Sequence, residues 1–435
     1  MIDLKETAKR VFLGTLKAID PEAVISRKLR IDGENLSFGS DQILLDRFKE
    51  IVLIGMGKAS LKMGSAVESL LGHRVKRGIL VTDRRSGTKV RSEVIFGGHP
   101  LPDAGSIVAG RKIVELVESC DEESLLVFLI SGGGSALVEL PVSEHLSLED
   151  LRAANQILVG CGATIREINM VRKRLSRIKG GGLGRLARRS RSIGFYISDV
   201  NPGDLRSIAS NPLLPEEVDI ERCHRVIKRF NLDDKLPNSV VTVFQQPVES
   251  FSSGWGSVSP QTMLLLDNSA AVQAAAEEAT GLGFRVEVDE NLIEGEYRTV
   301  ADLLVKSLLR LKSTFPNQRV CLLSGGEVSC PVHHEGIGGR NQEFVLYCAA
   351  RLADLGIRDG VAVLSCGSDG IDGNSNAAGA VAGPELVTKA AQHNIDASIF
   401  INGNDSHSFF KETGGLVVTG PSGSNVRDLR ILLAQ

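Results

Sequence analysis

Lys58 follows Gly55-Met56-Gly57 at the end of an apolar run, IVLIG (51–55), and opens a helical pattern. A lysine in that place can meet a phosphate, because the free N–H groups and the dipole of a helix start both favour an anion. The pattern is not a P-loop, since Ala59 stands where Ser or Thr must follow the lysine. It matches the dinucleotide fingerprint G-x-G-x-x-G at two glycines only, with Ser60 in the third place, while Asp83 ends the next apolar run. Phosphate transfer, nicotinamide binding and a plain strand-to-helix turn with a solvated lysine all remain open on this motif.

Five further clusters sit in comparable places. Ser131-Gly132-Gly133-Gly134-Ser135 follows the most apolar run of the chain, and three bare glycines leave a row of N–H groups that suits a carboxylate or phosphate. Ser198-Asp199-Val200-Asn201-Pro202-Gly203-Asp204 puts two carboxylates on one loop, where they suit a general base or a Mg²⁺ ligand, or simply cap a turn. In the second half, Ser324-Gly325-Gly326-Glu327, Gly336-Ile337-Gly338-Gly339-Arg340-Asn341 and Gly367-Ser368-Asp369-Gly370 repeat the device. His333-His334 beside Cys330 reads as a pair of solvated loop histidines, because no second pair of metal ligands accompanies it.

The elements that must position these groups alternate along the chain. IVLIG, GILVTD (78–83), EVIFG (93–97), SLLVFLIS (124–131) and IGFYIS (193–198) read as buried strands, and the stretches 58–71, 104–119, 148–160 and 164–177 carry helical spacing. After a Pro-, Ser- and Gly-rich stretch at about 201–260, TMLLL (262–266), FRVEV (284–288), RVCLLS (319–324), VAVLSC (361–366), SIFI (398–401) and GLVVT (415–419) continue as strands. The fold class expected is α/β, with two three-layer α/β/α domains at 1–240 and 241–435, the first Rossmann-like, and a cleft between them.

Composition narrows the function. Fifty basic against 53 acidic residues give a net charge of −3, which argues against a nucleic-acid binder. Between Ile168 and Ser198 nine basic residues and no acidic one occur, yet base-stacking aromatics are nearly absent, so a basic wall around a small anionic ligand fits better than a nucleic-acid face. Seven cysteines without a C-x-x-C pair read as reduced thiols. No signal-peptide layout and no membrane-length apolar run occur, so a cytoplasmic protein with no membrane partner is expected. Glycine, at 46 of 435 residues or about 11% against about 7% in average proteins, is in surplus, and much of the surplus lies at strand ends.

GMGKAS, GGHPLPDAGS (97–106), FLISGGGSALVELP (128–141), SDVNPGDLRSIASNP (198–212), LSGGEVSCPV (323–332), GIGGRNQEF (336–344), CGSDGIDGNSNAAGA (366–380) and TGPSGSNVRDL (419–429) together resemble the two-domain glycerate 2-kinase family, the later ones its MOFRL domain. The resemblance implies ATP- and Mg²⁺-dependent phosphorylation of D-glycerate at the 2-hydroxyl, with no nucleic-acid partner and a homodimer left open. The alternative is an NAD(P)H-dependent hydroxypyruvate reductase, a label that members of the family have also carried.

Carried over to this chain, the family's glycine-loop lysine is Lys58 and the arginine of its GGRNQE motif is Arg340. The full expectation has Lys58 and Arg340 stabilise the transferring phosphate and Asp199 accept the hydroxyl proton. Gly133, Gly134, Ser135 and Arg172 would bind the acceptor carboxylate, and Asp204 or Asp369 would hold Mg²⁺. Gly55, Gly57, Gly326, Glu327, Gly338 and Asn341 would line the nucleotide. The chain departs from the family pattern at Ser210-Asn211-Pro212, usually S-G-P, and at Ser135-Ala136, usually Ser-Ser.

Overall fold

The computed structural model describes residues 2–200, 203–216, 219–246, 259–289 and 294–435. Residues 217–218 and 247–258 of the Pro-, Ser- and Gly-rich stretch, and Asn201-Pro202 of the acidic loop, lie outside them. The chain forms two compact units, Val24–Leu265 and Met1–Ala23 with Leu266–Gln435.

Within Val24–Leu265, a small antiparallel sheet of β1 (Leu29–Asp32), β2 (Asn35–Phe38) and β3 (Asp41–Leu44) precedes a six-stranded sheet. The latter comprises β4 (Glu50–Met56), β5 (Val75–Thr82), β6 (Glu93–Phe96), β7 (Ser124–Ile130), β8 (Arg191–Ile197) and β9 (Gln261–Leu266) in the order β6-β5-β4-β7-β8-β9. From β6 to β8 every pairing is parallel. All seven residues of β7 are buried, as a strand covered on both faces requires. One face meets Ala109, Ile113, Val114 and Val117 of the helix Ala104–Glu118. On the other face Leu80 lies against Gly55 and against Gly64 of the helix Ser60–Leu71. The stretch expected to be loop contains two helices, Ile220–Arg229 and Asn238–Gln245, which pack Cys223, Val226, Val240 and Phe244 against the helices Leu148–Gly160 and Ile165–Arg174.

The other unit contains β10 (Arg285–Asp289), β11 (Gly295–Glu296), β12 (Val320–Ser324), β13 (Val328–Ser329), β14 (Val361–Gly367), β15 (Gly379–Ala382), β16 (Leu416–Val417) and β17 (Asp428–Ala434). Its main sheet runs β10-β12-β17-β14-β15-β16, with only the first pair parallel. Val320, Leu322, Val363 and Leu432 face the helices Tyr297–Thr314 and Arg340–Asp354, while Cys321, Leu323, Leu364 and Ile431 face the opposite core. That second core is completed by Leu4, Ala8, Val11 and Phe12, the apolar stripe of the N-terminal helix Leu4–Ala18. The single cut expected near 240 is thus replaced by two crossings. The first helix buries its stripe in the unit formed by the C-terminal half, and β9 joins the N-terminal sheet.

Two strand expectations are corrected. SIFI lies in the helix Ala397–Gly403, where Asp396 accepts the Ser398 N–H as a cap. The C-terminal run DLRILLA, not read as a strand, forms β17 inside the sheet. Among the described residues no helix is long and apolar enough to cross a membrane, and all seven cysteines are free.

Candidate active site

At the C-terminal ends of β4, β7 and β8 three loops close on one another. Gly57 has φ +125°, a conformation side chains rarely adopt, and a Cβ there would strike Ser131. The bare backbone lets the loop after β4 lie on the loop after β7. Lys58 N–H donates to Gly132 O at 2.9 Å, and Ala59 N–H to Ser131 Oγ at 3.1 Å. A methyl placed at Gly133 would lie 3.2 Å from His99 Cδ2 and 3.4 Å from Lys58 Cγ, and one placed at Gly132 would fall on the Asp199 carboxylate. Lys58, the glycine loop and Asp199, chosen from three separate motifs, therefore meet. The N–H groups of Gly132, Gly133 and Ser135 have no backbone acceptor among the described residues. The cluster offers a cation, a carboxylate and a row of donors, which suits an anionic substrate whose hydroxyl must lose a proton.

Asp83, directly after β5, adds to this electrostatic setting. Burial would raise its carboxyl, but the hydrogen bond from Arg84 and the charges of Arg84 and Lys58 hold it below the usual carboxylate range.

The turn behind the glycine loop is strained. Ala209, Ser210 and Asn211 all have positive φ, at 49°, 57° and 55°. Each non-glycine residue in that region costs on the order of 1 kcal/mol, so the surroundings must hold them there. They do: Gly180 N–H donates to Ser210 O at 3.0 Å, Gly181 N–H to Asn211 O at 2.6 Å and Gly184 N–H to Pro212 O at 3.1 Å. Asn211 adds side-chain hydrogen bonds, its Nδ2 donating to Leu214 O and Glu216 Oε2. The Ser135 and Ser210 hydroxyls share a 2.7 Å hydrogen bond.

In the other unit, Arg340 opens its helix and binds Asp428 through two hydrogen bonds and Glu327 through a third contact of 2.8 Å. Burial would lower its guanidinium pKa, but the carboxylates of Asp428 and Glu327 keep it well above the usual arginine value. Asp372 is 2% exposed and takes four hydrogen bonds from the backbone and side chains of Asn341 and Gln342. Burial still pushes its carboxyl up.

Several expected contacts have other duties. Gly55 lies inside β4, paired with Leu80 and Leu129 on either side, and contributes packing space in place of a nucleotide contact. Gly57 N–H is spent on Val81 O, and Gly326 N–H on Asn268 Oδ1. Gly338 N–H goes to Asn374 Oδ1. Asn341 is 1% exposed and bonds Asp372 and Ser365, so its side chain faces the interior and not a ligand. Arg172 donates to Asn155 Oδ1 at 2.5 Å, a bond within the helical layer and not to the glycine loop. Part of the expected basic wall is likewise internal: Lys173 pairs with Glu216, Lys179 with Glu139 deep in the unit, and Arg174 binds the carbonyls of Val243 and Gln246, whereas Arg177, Arg188 and Arg189 are exposed.

Asp204 accepts the Ser207 hydroxyl, and Asp369 accepts the Ile371 N–H while lying 3.3 Å from a Cβ position on Gly367. Both offer the oxygen donor a hard cation takes. Among the described residues no group of three or more His, Cys, Asp or Glu side chains converges. That donor set is too small for a dedicated cage but fits an ion that brings most of its ligands as water and phosphate. His333 and His334 are exposed, as expected.

Sequence reading missed His99 and Ser210. His99 follows Gly97-Gly98 just after β6, a signal of the same kind as those used elsewhere, whereas nothing in Ser-Ile-Ala-Ser-Asn-Pro announces a left-handed turn.

Residues 7–245 match the family model described as "Domain of unknown function (DUF4147)", and residues 320–428 match the MOFRL family. The D-glycerate 2-kinase of Thermotoga maritima is 31% identical over 98% of this chain and 98% of its own. The glycerate 2-kinase of Pyrococcus horikoshii is 30% identical over 99% of this chain and 98% of its own. An Agrobacterium vitis protein provisionally named hydroxypyruvate reductase is 38% identical over 88% of this chain and 86% of its own. Among solved structures, a glycerate kinase from Thermotoga maritima superposes with a TM-score of 0.85 at 29% identity, covering 99% of each chain.

Proposed function

The chain belongs to the glycerate 2-kinase family, and from that premise we propose that it transfers the γ-phosphoryl group of ATP to the 2-hydroxyl of D-glycerate. The observation that carries this reading is the meeting of Lys58, the Gly132–Ser135 loop and Asp199 at three strand ends of one sheet.

In this reading the acceptor carboxylate lies on the N–H groups of Gly133 and Ser135 and on the Ser135 hydroxyl. Asp199 takes the proton from the 2-hydroxyl as its oxygen attacks, and the Lys58 ammonium stabilises charge on the transferring phosphoryl oxygens. Arg340, preset by Asp428, is assigned to the phosphates of the nucleotide. Mg²⁺ carried on the nucleotide would be held through water by Asp369 or Asp204 and would spread the charge of the transferring group. Arg172 and Asn341 are assigned no contact with ligand.

Supplying the purified protein with ATP, Mg²⁺ and D-glycerate, and separately with NADH and hydroxypyruvate, tests the reading. ADP release only in the first mixture is expected. NADH oxidation in the second, without ADP release in the first, would transfer the assignment to the reductase.

A further inference from the structure

We propose that Ser210 is a positioning residue for the acceptor acid, acting through Ser135, and that the strained turn 209–211 exists to hold it there. The proposal rests on the kinase reading, which gives Ser135 its contact with the acceptor.

Ser210 is fully buried, so its hydroxyl cannot itself touch a ligand in solution, and it reaches Ser135 at 2.7 Å. Ser135 is half-exposed on the glycine loop. A methyl placed on Gly134 would come 2.8 Å from Ala209 Cβ, so the same turn also backs the neighbouring glycine. Three successive residues at positive φ are not a conformation the chain takes up by itself; the donors of Gly180, Gly181 and Gly184 and the side chain of Asn211 impose it. Strain of this kind, over-determined by its surroundings and placed beside a site, fixes a side chain more tightly than an ordinary loop would. With the Ser210 hydroxyl donating, the bond selects one rotamer of Ser135 and leaves the Ser135 O–H to donate to the carboxylate of a short 2-hydroxy acid.

The test is a cycle of Ser210→Ala, Ser135→Ala and the double variant, with Ser210→Gly as the companion that tolerates φ +57° should the alanine variant fold poorly. KM for D-glycerate and KM for ATP are measured separately. Ser210→Ala and Ser210→Gly are expected to raise the glycerate KM about tenfold, the effect of one well-aligned hydrogen bond, with the ATP KM within about twofold of wild type. On the Ser135→Ala background, Ser210→Ala is expected to add nothing. An unchanged glycerate KM in either single variant, equal rises in both KM values, or additive effects in the double variant would overturn the proposal. Absence of wild-type turnover with D-glycerate removes the kinase reading and this proposal with it, whereas normal turnover with any of those patterns removes the proposal alone.

Discussion

Arg340 and Asp428 are joined by two parallel hydrogen bonds, Nε to Oδ2 at 2.7 Å and Nη2 to Oδ1 at 3.0 Å, with the Asp428 side chain wholly buried. The fork fixes the plane of the guanidinium while a third nitrogen reaches Glu327. The pair therefore serves the fold as well as any ligand.

Removing Arg340 strands a buried carboxylate. Arg340→Ala is expected to cost on the order of 3 kcal/mol, read as a lower denaturant midpoint. Arg340→Lys keeps the charge but cannot make both bonds, so it should recover only part of that loss. A midpoint equal to wild type in the alanine variant would show that the fork does not stabilise the unit.

Gly132→Ala isolates the geometry of Asp199. The added methyl falls on the Asp199 carboxylate and must displace it. A shift of about 1 Å in a reacting group can lower kcat by on the order of 10²-fold. Steady-state kinetics on a variant whose circular dichroism matches wild type measures this, and an unimpaired kcat would detach Asp199 from the chemistry.

Lys58 and Asp199 are expected to separate by role. Lys58→Ala should lower kcat/KM by on the order of 10² to 10³-fold, as loss of one stabiliser of developing charge does. Asp199→Asn keeps the shape but cannot take a proton, and should lower kcat by about 10² to 10⁴-fold. Full activity in either variant would remove its assigned role.

Glu343, in the first turn of the Arg340–Asp354 helix, makes stability depend on pH. Burial pushes its carboxyl up to about 7, against the effect of bonds from Ser406, and its Oε2 has no partner among the described residues. Because the folded value lies above the unfolded one, the folded state holds the proton longer. The contribution is fully present below about pH 4.5 and is lost as pH rises to about 7. Glu343→Gln should abolish that loss, narrowing the stability difference between pH 4.5 and pH 8 by on the order of 2 to 3 kcal/mol. Denaturant midpoints of both proteins across this range give the answer, and parallel curves would refute it.

The groups that converge were readable because strand ends in an α/β sheet share an edge: Lys58, Gly132 and Asp199 each follow an apolar run, and β4, β7 and β8 are neighbours. Spacing could not tell which way Asn341 points, since its partner Asp372 lies 31 residues further on. It could not place Arg172 either, because Asn155 is on another helix. β17 was hidden because Asp428 and Arg430 read as polar, whereas both are 0% exposed, with Asp428 bound to Arg340 and Arg430 to Ser324 and Gly325. The N-terminal helix Leu4–Ala18 buries its stripe in a core formed by residues more than 250 positions away, a partnership that spacing along the chain does not reveal.

The central claim is the position of phosphorylation. With D-glycerate, ATP and Mg²⁺ supplied, enolase added directly to the reaction reads the product by the absorbance of phosphoenolpyruvate. The account predicts immediate conversion, because 2-phosphoglycerate is the substrate enolase takes. A product that enolase converts only after a phosphoglycerate mutase is added would contradict it.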